Sequence, residues 1–153
     1  MSVSVVAVAG KPTRWVEQAI ARYSERMPRH WRFSIELIAP SRKNDSAARM
    51  ADEWQRVEQR IPKQHTRALL DERGKQMTSR QFAQWLQRDL DSGASVSFVI
   101  GGADGVNEET RQSADTLLAV APFTLPHELA RVVLVEQIYR AHTIMTNHPY
   151  HRD

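Results

Sequence analysis

Cysteine is absent from the 153 residues, which removes disulfides, thiolate nucleophiles and thiolate metal centres and suits a reducing, cytoplasmic setting. No apolar run approaches the roughly 20 residues that span a bilayer, so no membrane partner is expected. Met1 to Gly10 has no basic stretch ahead of it and is predicted to be a first strand rather than a leader. Internal repeats and low-complexity linkers are also missing, and the length fits one domain over residues 1–153. A large excess of one charge is lacking too: the net charge is +3, which suits a polyanionic partner without requiring one.

What is present has the balance of a chain that folds, with 41% hydrophobic and 25% charged residues. Strand and helix signals alternate from the start. The β-branched run Val3 to Val8 predicts a strand, and Pro12 is placed in the first turn of a helix whose face carries Trp15, Val16, Ile20, Tyr23 and Met27. A strand from Phe33 to Ala39 ends at Pro40. A helix with Met50, Trp54, Val57 and Ile61 on one face follows and closes at Pro62. Thr66 to Asp71 is predicted as a third strand. Thr78 then caps a helix burying Phe82, Trp85, Leu86 and Leu90, with Gly93 as its stop.

Ser95 to Ile100 is the next strand, followed by the turn Gly101 to Gly105 and a polar helix from Asn107 to about Ala114. A strand from Thr116 to Ala121 precedes a long helix from Pro126 to about Asn147. Its apolar positions are taken to be Leu129, Val132, Val133, Tyr139, Ile144 and Met145. The expected fold class is α/β, a mostly parallel sheet with helices on both faces and a ligand site at the carboxyl ends of its strands. Trp15, Trp54 and Trp85 are expected in the core rather than as base-stacking platforms. Glu136 and Arg140, four apart on the last helix, are expected to pair, and that helix could pack inside its own chain or against a second subunit.

Three segments carry chemistry. The glycine turn after a strand lets backbone N–H groups approach a nucleotide-like ligand, although a plain tight turn has the same composition. Its spacing is neither a dinucleotide fingerprint nor a phosphate-binding Lys-Ser/Thr loop. Ala121-Pro122-Phe123-Thr124-Leu125-Pro126-His127 is a rigid, proline-bounded loop that could hold a flat ring such as adenine, or could simply start a helix. The tail Asn147-His148-Pro149-Tyr150-His151-Arg152-Asp153 holds side chains that contact phosphate and base, unless it is a frayed terminus. Of six histidines, four lie between His127 and the C-terminus. His148-x-x-His151 has no second ligand pair to match, so no metal site is expected.

Taken in order, these segments resemble one family across essentially the whole chain: the SPOUT-class methyltransferases that methylate N3 of a pseudouridine in bacterial 23S rRNA. The resemblance rests on Val6-Ala7-Val8-Ala9-Gly10-Lys11, Leu70-Asp71-Glu72-Arg73-Gly74-Lys75 and Phe98 to Gly105. It continues through Thr124-Leu125-Pro126-His127, Arg131 to Ala141 and the terminal Asn147 to Arg152. It implies a C-terminal trefoil knot and a homodimer acting on 23S rRNA in the assembled ribosome. It implies S-adenosyl-L-methionine held by Leu70, Gly102 and the run Ala121, Pro122, Phe123, Thr124, Leu125 and Pro126, where Ala121 to Phe123 departs from any fixed family pattern.

An imide nitrogen must lose its proton before it can take a methyl group, so such a site needs a base or stabilisation of the anion. Arg152 stays protonated and is assigned to the developing charge or a phosphate. His151 is the candidate base and Tyr150 orients or stacks on the nucleobase; loss of the proton directly to water is the alternative. His148 joins Arg152 as an RNA contact. The competing classes are a non-catalytic RNA- or ribosome-binding protein of the same fold and a nucleotide-binding enzyme unrelated to RNA.

Overall fold

The computed structural model describes residues 1–152; Asp153, the last residue of the predicted tail, lies outside them. Its strands β1 (Val3–Val8), β2 (Ser34–Ile38), β3 (Thr66–Gln76), β4 (Val96–Ile100) and β5 (Thr116–Ala119) form one sheet. Their order is β2-β1-β4-β3-β5, and every pairing is parallel. Parallel strands need crossovers, which α1 (Arg14–Ser24), α2 (Ser46–Glu58), α3 (Ser79–Asp91) and α4 (Glu108–Ser113) provide. The chain then finishes in α5 (His127–Met145).

Alternation along β1 divides the core in two. Val3, Val5 and Ala7 pack with Phe82, Leu86, Leu134 and Ile138, so α3 and α5 cover that face together with α1. Val6 and Val8 point the other way, toward Val57 and Ile61 and the neighbourhood of α4. Helices on both faces of a parallel sheet were the sequence expectation, and β4, buried at all five positions, is the fully enclosed central strand.

Local signals place the helix ends. Thr78 and Gln81 form a reciprocal capping box at α3, Asp45 and Asn107 cap α2 and α4, and Gly93 takes φ +83° just past α3. Three expectations need correction. Pro12 precedes the N-cap Thr13 of α1 instead of sitting in its first turn, and Met27 reaches the core from the turn beyond the helix. Trp15 is 51% exposed, because Val16 and not its neighbour faces the sheet. Along α5 the buried stripe is Arg131, Leu134, Val135, Ile138, Tyr139 and Ala141, while Leu129 is exposed. An apolar helix offers several plausible stripes, and packing against both α1 and α3 selected this one.

β3 outruns its predicted end by five residues. It pairs with β4 through Leu69, breaks register between Leu70 and Lys75, and resumes beside β5 at Lys75 and Gln76. Gly74 permits this: a Cβ there would lie 2.6 Å from the backbone of Leu117 and Leu118.

Candidate active site

Because all five strands are parallel, the loops after β3, β4 and β5 emerge at one end of the sheet. They surround a cavity of about 860 Å3. Leu70, Gly102, Ala121, Pro122, Phe123, Thr124 and Leu125 all line it, so seven of the residues predicted to hold a cofactor are brought together from three loops. Pro126 is not part of the lining; it is the N-cap of α5. Phe123 is 81% exposed and stands at the mouth.

Close contacts fix the glycine loop. Gly102 and Gly105 form an isolated antiparallel bridge, with φ +76° at Gly105. A Cβ on Gly101 would come 2.8 Å from Val106 Cγ1, and one on Gly102 would come 2.7 Å from Glu53 Oε1. Glu53 is buried in α2 and its Oε2 accepts from the Ser41 N–H at 2.9 Å. Arg49, one turn earlier, forks onto Asp104 at 2.8 and 3.1 Å, and the Ser46 hydroxyl donates to the same carboxylate. These bonds, the arginine's first, hold the Asp104 carboxyl below its usual range.

The opposite wall carries an ion pair. Asp71 Oδ2 accepts from Arg111 Nε at 2.5 Å, its Oδ1 accepts from the Arg73 N–H at 2.8 Å, and the Asp71 side chain is 4% exposed. The bond to Asp71 is the main cause of a raised Arg111 pKa. Asp71→Asn is expected to lower unfolding stability by about 2 kcal/mol, since it leaves a partly buried guanidinium without its counter-charge. Urea titration measures it; a midpoint equal to wild type would contradict the pairing.

His127 closes the floor. Its Nε2–H donates to the Gly101 carbonyl at 2.8 Å, tying the first residue of α5 to the glycine loop. Burial holds its imidazole below the usual histidine range, and burial does the same to His65 and His142. These three are therefore neutral when folded, whereas the unfolded chain takes up protons near pH 6.5. Stability is accordingly full above about pH 6.5 and is lost as pH falls from there through the depressed folded values. A melting temperature lower at pH 5.5 than at pH 7.5 is expected; equal values would contradict it.

The predicted tail residues lie elsewhere. None of His148, Tyr150, His151 and Arg152 lines the cavity. The Tyr150 hydroxyl donates to Glu136 Oε1 at 2.9 Å, and its ring packs edge-on to Tyr139 beneath the Arg140 guanidinium. Burial first, then that bond, raises the Tyr150 pKa, so it stays a neutral phenol. Glu136 pairs with Arg140 at 2.7 Å, as their spacing predicted. His148 Nδ1 accepts from the Tyr150 N–H at 3.2 Å, the buried His151 Nδ1 has no partner among the described residues, and Arg152 is exposed. The site residues that sequence reasoning passed over are Asp71, Arg111, Glu53 and His127. Only His127, next to a proline at a helix start, carried a local signal.

Comparison with known proteins agrees with this architecture. The family model described as "Predicted SPOUT methyltransferase" matches residues 1–151. Relatives named "Ribosomal RNA large subunit methyltransferase H" from Neisseria meningitidis serogroup C (strain 053442) and from Chromobacterium violaceum are each 40% identical, covering 100% of both chains. One of the same name from Janthinobacterium sp. (strain Marseille) is 41% identical over 99% of each. A solved structure described as a probable methylase family protein from Haemophilus influenzae Rd KW20 superposes with a TM-score of 0.57 at 13% identity. It covers 99% of this chain and 70% of that one, and speaks to the fold alone. A full-length family match, relatives at 40% identity end to end and a glycine-bounded cavity between three strand-end loops lead to one conclusion: this chain belongs to the SPOUT methyltransferase family.

Proposed function

We propose that this methyltransferase uses S-adenosyl-L-methionine to methylate N3 of a pseudouridine in 23S rRNA of the bacterial ribosome, acting in the cytoplasm as a homodimer. The observation that carries the proposal is the cavity itself, which gathers Leu70, Gly102 and residues 121–125 from three separate loops. Its lining suits the cofactor: apolar side chains and a close-approach glycine loop accept a flat adenine and main-chain hydrogen bonds, and the Asp71 and Asp104 carboxylates complement a sulfonium and an ammonium. Bound there, the cofactor supplies an electrophilic methyl group on a positive sulfur. The passage of residues 121–126 beside the β3 and β4 loops, sealed by the His127–Gly101 bond, supports reading this region as the trefoil knot.

The chain's own residues divide the rest. The three loops fix the donor, and the Arg111–Asp71 and Arg49–Asp104 pairs keep two of them from shifting. His151, with Nδ1 unengaged, takes the N3 proton of the acceptor base as the nitrogen attacks the methyl carbon. Arg152 steadies the anion or a neighbouring phosphate, His148 contacts RNA, and Tyr150, a neutral donor, orients the nucleobase.

The tail does this work in trans. α5 has 19 residues and starts at the cavity, so its far end is about 28 Å away. The tail of one chain thus sits remote from its own cavity, and a second copy supplies the missing half. Mass mapping of rRNA nucleosides from a strain lacking the gene is the test. Loss of one methylated pseudouridine, restored by the wild-type gene, is expected. An unchanged nucleoside profile would favour a non-catalytic RNA-binding role and defeat the proposal.

A further inference from the structure

Arg131 lies one turn into α5 and is 1% exposed, yet none of its three guanidinium nitrogens has a hydrogen-bond partner among the described residues. Burying a cation without acceptors is among the most destabilising arrangements a core can contain. The side chain forms part of the wall of a groove of about 450 Å3 between α1 and the edge strand β2. The other walls are largely apolar: Ile20 from α1, and Phe33, Ile35 and Leu37 from β2. Leu37 is 36% exposed, and Trp15 and Leu129 stand exposed on the first turns of α1 and α5, which the Thr13–Glu128 hydrogen bond holds together.

Within its own chain the carboxylate whose charge acts on Arg131 is that of Glu128, which already accepts from Thr13. Glu17, exposed on the α1 wall of the same groove, has a carboxylate with no ion pair or hydrogen bond among the described residues. One groove thus carries an acceptor-less cation and a donor-less anion that do not meet. A two-fold contact resolves both, because it sets each patch against its own copy, so that residue i meets j and j meets i.

We propose that this groove is the docking surface for a second copy of the chain, with Glu17 of the partner subunit accepting from the Arg131 guanidinium. The inference rests on the homodimer reading above and gives it a place. His127, one turn before Arg131, lines the cofactor cavity, so a copy docked here stands beside the end of the molecule that a tail in trans must reach.

Sedimentation velocity over a concentration series tests it with wild type, Arg131→Met, Glu17→Gln and the double variant. Each single change should raise the dimer dissociation constant at least about tenfold, and the double variant should add little, since both remove one pair. At dilutions where both are monomeric, Arg131→Met should melt no lower than wild type, because the free subunit has lost an uncompensated charge. A purely internal role for Arg131 predicts the opposite sign. Wild-type dimerisation that either variant leaves unchanged, or a monomeric Arg131→Met that melts lower, overturns the pairing. A wild-type chain that stays monomeric throughout overturns the dimer reading itself.

Discussion

Gly102→Val is expected to weaken binding of S-adenosyl-L-methionine at least about a hundredfold, equivalent to about 2.7 kcal/mol. The sequence suggested that a bulky residue would fill the pocket from the front. The structure adds a collision from behind: the first side-chain atom would fall 2.7 Å from Glu53 Oε1 and 3.1 Å from both Glu53 Oε2 and Val8 Cγ1. Glu53 cannot retreat cheaply, since it is buried in α2 and its Oε2 holds the Ser41 N–H. The loop must therefore move instead, which withdraws its main-chain groups from the cavity. Overpacking of this kind costs about 1–3 kcal/mol of stability as well, so a lower melting temperature should accompany the loss. Calorimetric titration with the cofactor measures the affinity, and binding equal to wild type would contradict the cradle described above.

Removing His148 to Asp153 is expected to abolish methyl transfer, with a rate loss of at least about a thousandfold, while cofactor binding persists. The loops that line the cavity are complete without the tail, and α5 ends at Met145. The expectation that folding is nearly untouched needs revision, because Tyr150 packs against the core at Tyr139 and donates to Glu136. Truncation should cost about 1–2 kcal/mol of stability for that ring and its hydrogen bond. Arg152→Ala separates the two effects: the side chain is exposed, so its loss should spare the fold yet remove about 2–4 kcal/mol of transition-state stabilisation. His151→Ala tests the base. A deficit that shrinks as pH rises identifies proton abstraction, and a flat deficit assigns the residue to binding. Single-turnover methylation of bacterial ribosomes, run beside a thermal melt and a cofactor titration, reads all three. Near-normal rates after truncation would end the idea.

Legibility differed by element. The Thr78 cap, the Gly93 stop and the enclosed strand over 96–100 were readable because neighbours a few residues apart decide them. Gly74 stood within a recognised motif, but its reason, the approach of β5 to 2.6 Å, comes from more than forty residues downstream. Trp15 failed for a related cause. An amphipathic stripe fixes a helical face to within a residue or so, and the contact with α5 chose Val16 over its neighbour.

The sequence by itself determined the alternation of strands and helices, the α/β class, the three strand-end loops and the family, because periodicity, caps and ordered motifs are properties of short stretches. Tertiary structure alone decided that those loops share one cavity, since that follows from the order β2-β1-β4-β3-β5, which inserts the fourth strand between the first and third. It alone decided that Glu53 stands behind Gly102, that Asp71 meets Arg111 and that Arg131 is enclosed without an acceptor. Each of these joins residues far apart in the chain, or sets a charged side chain in surroundings that its own segment does not make. Desolvation and close approach are set by what packs against a residue, and no local pattern records that.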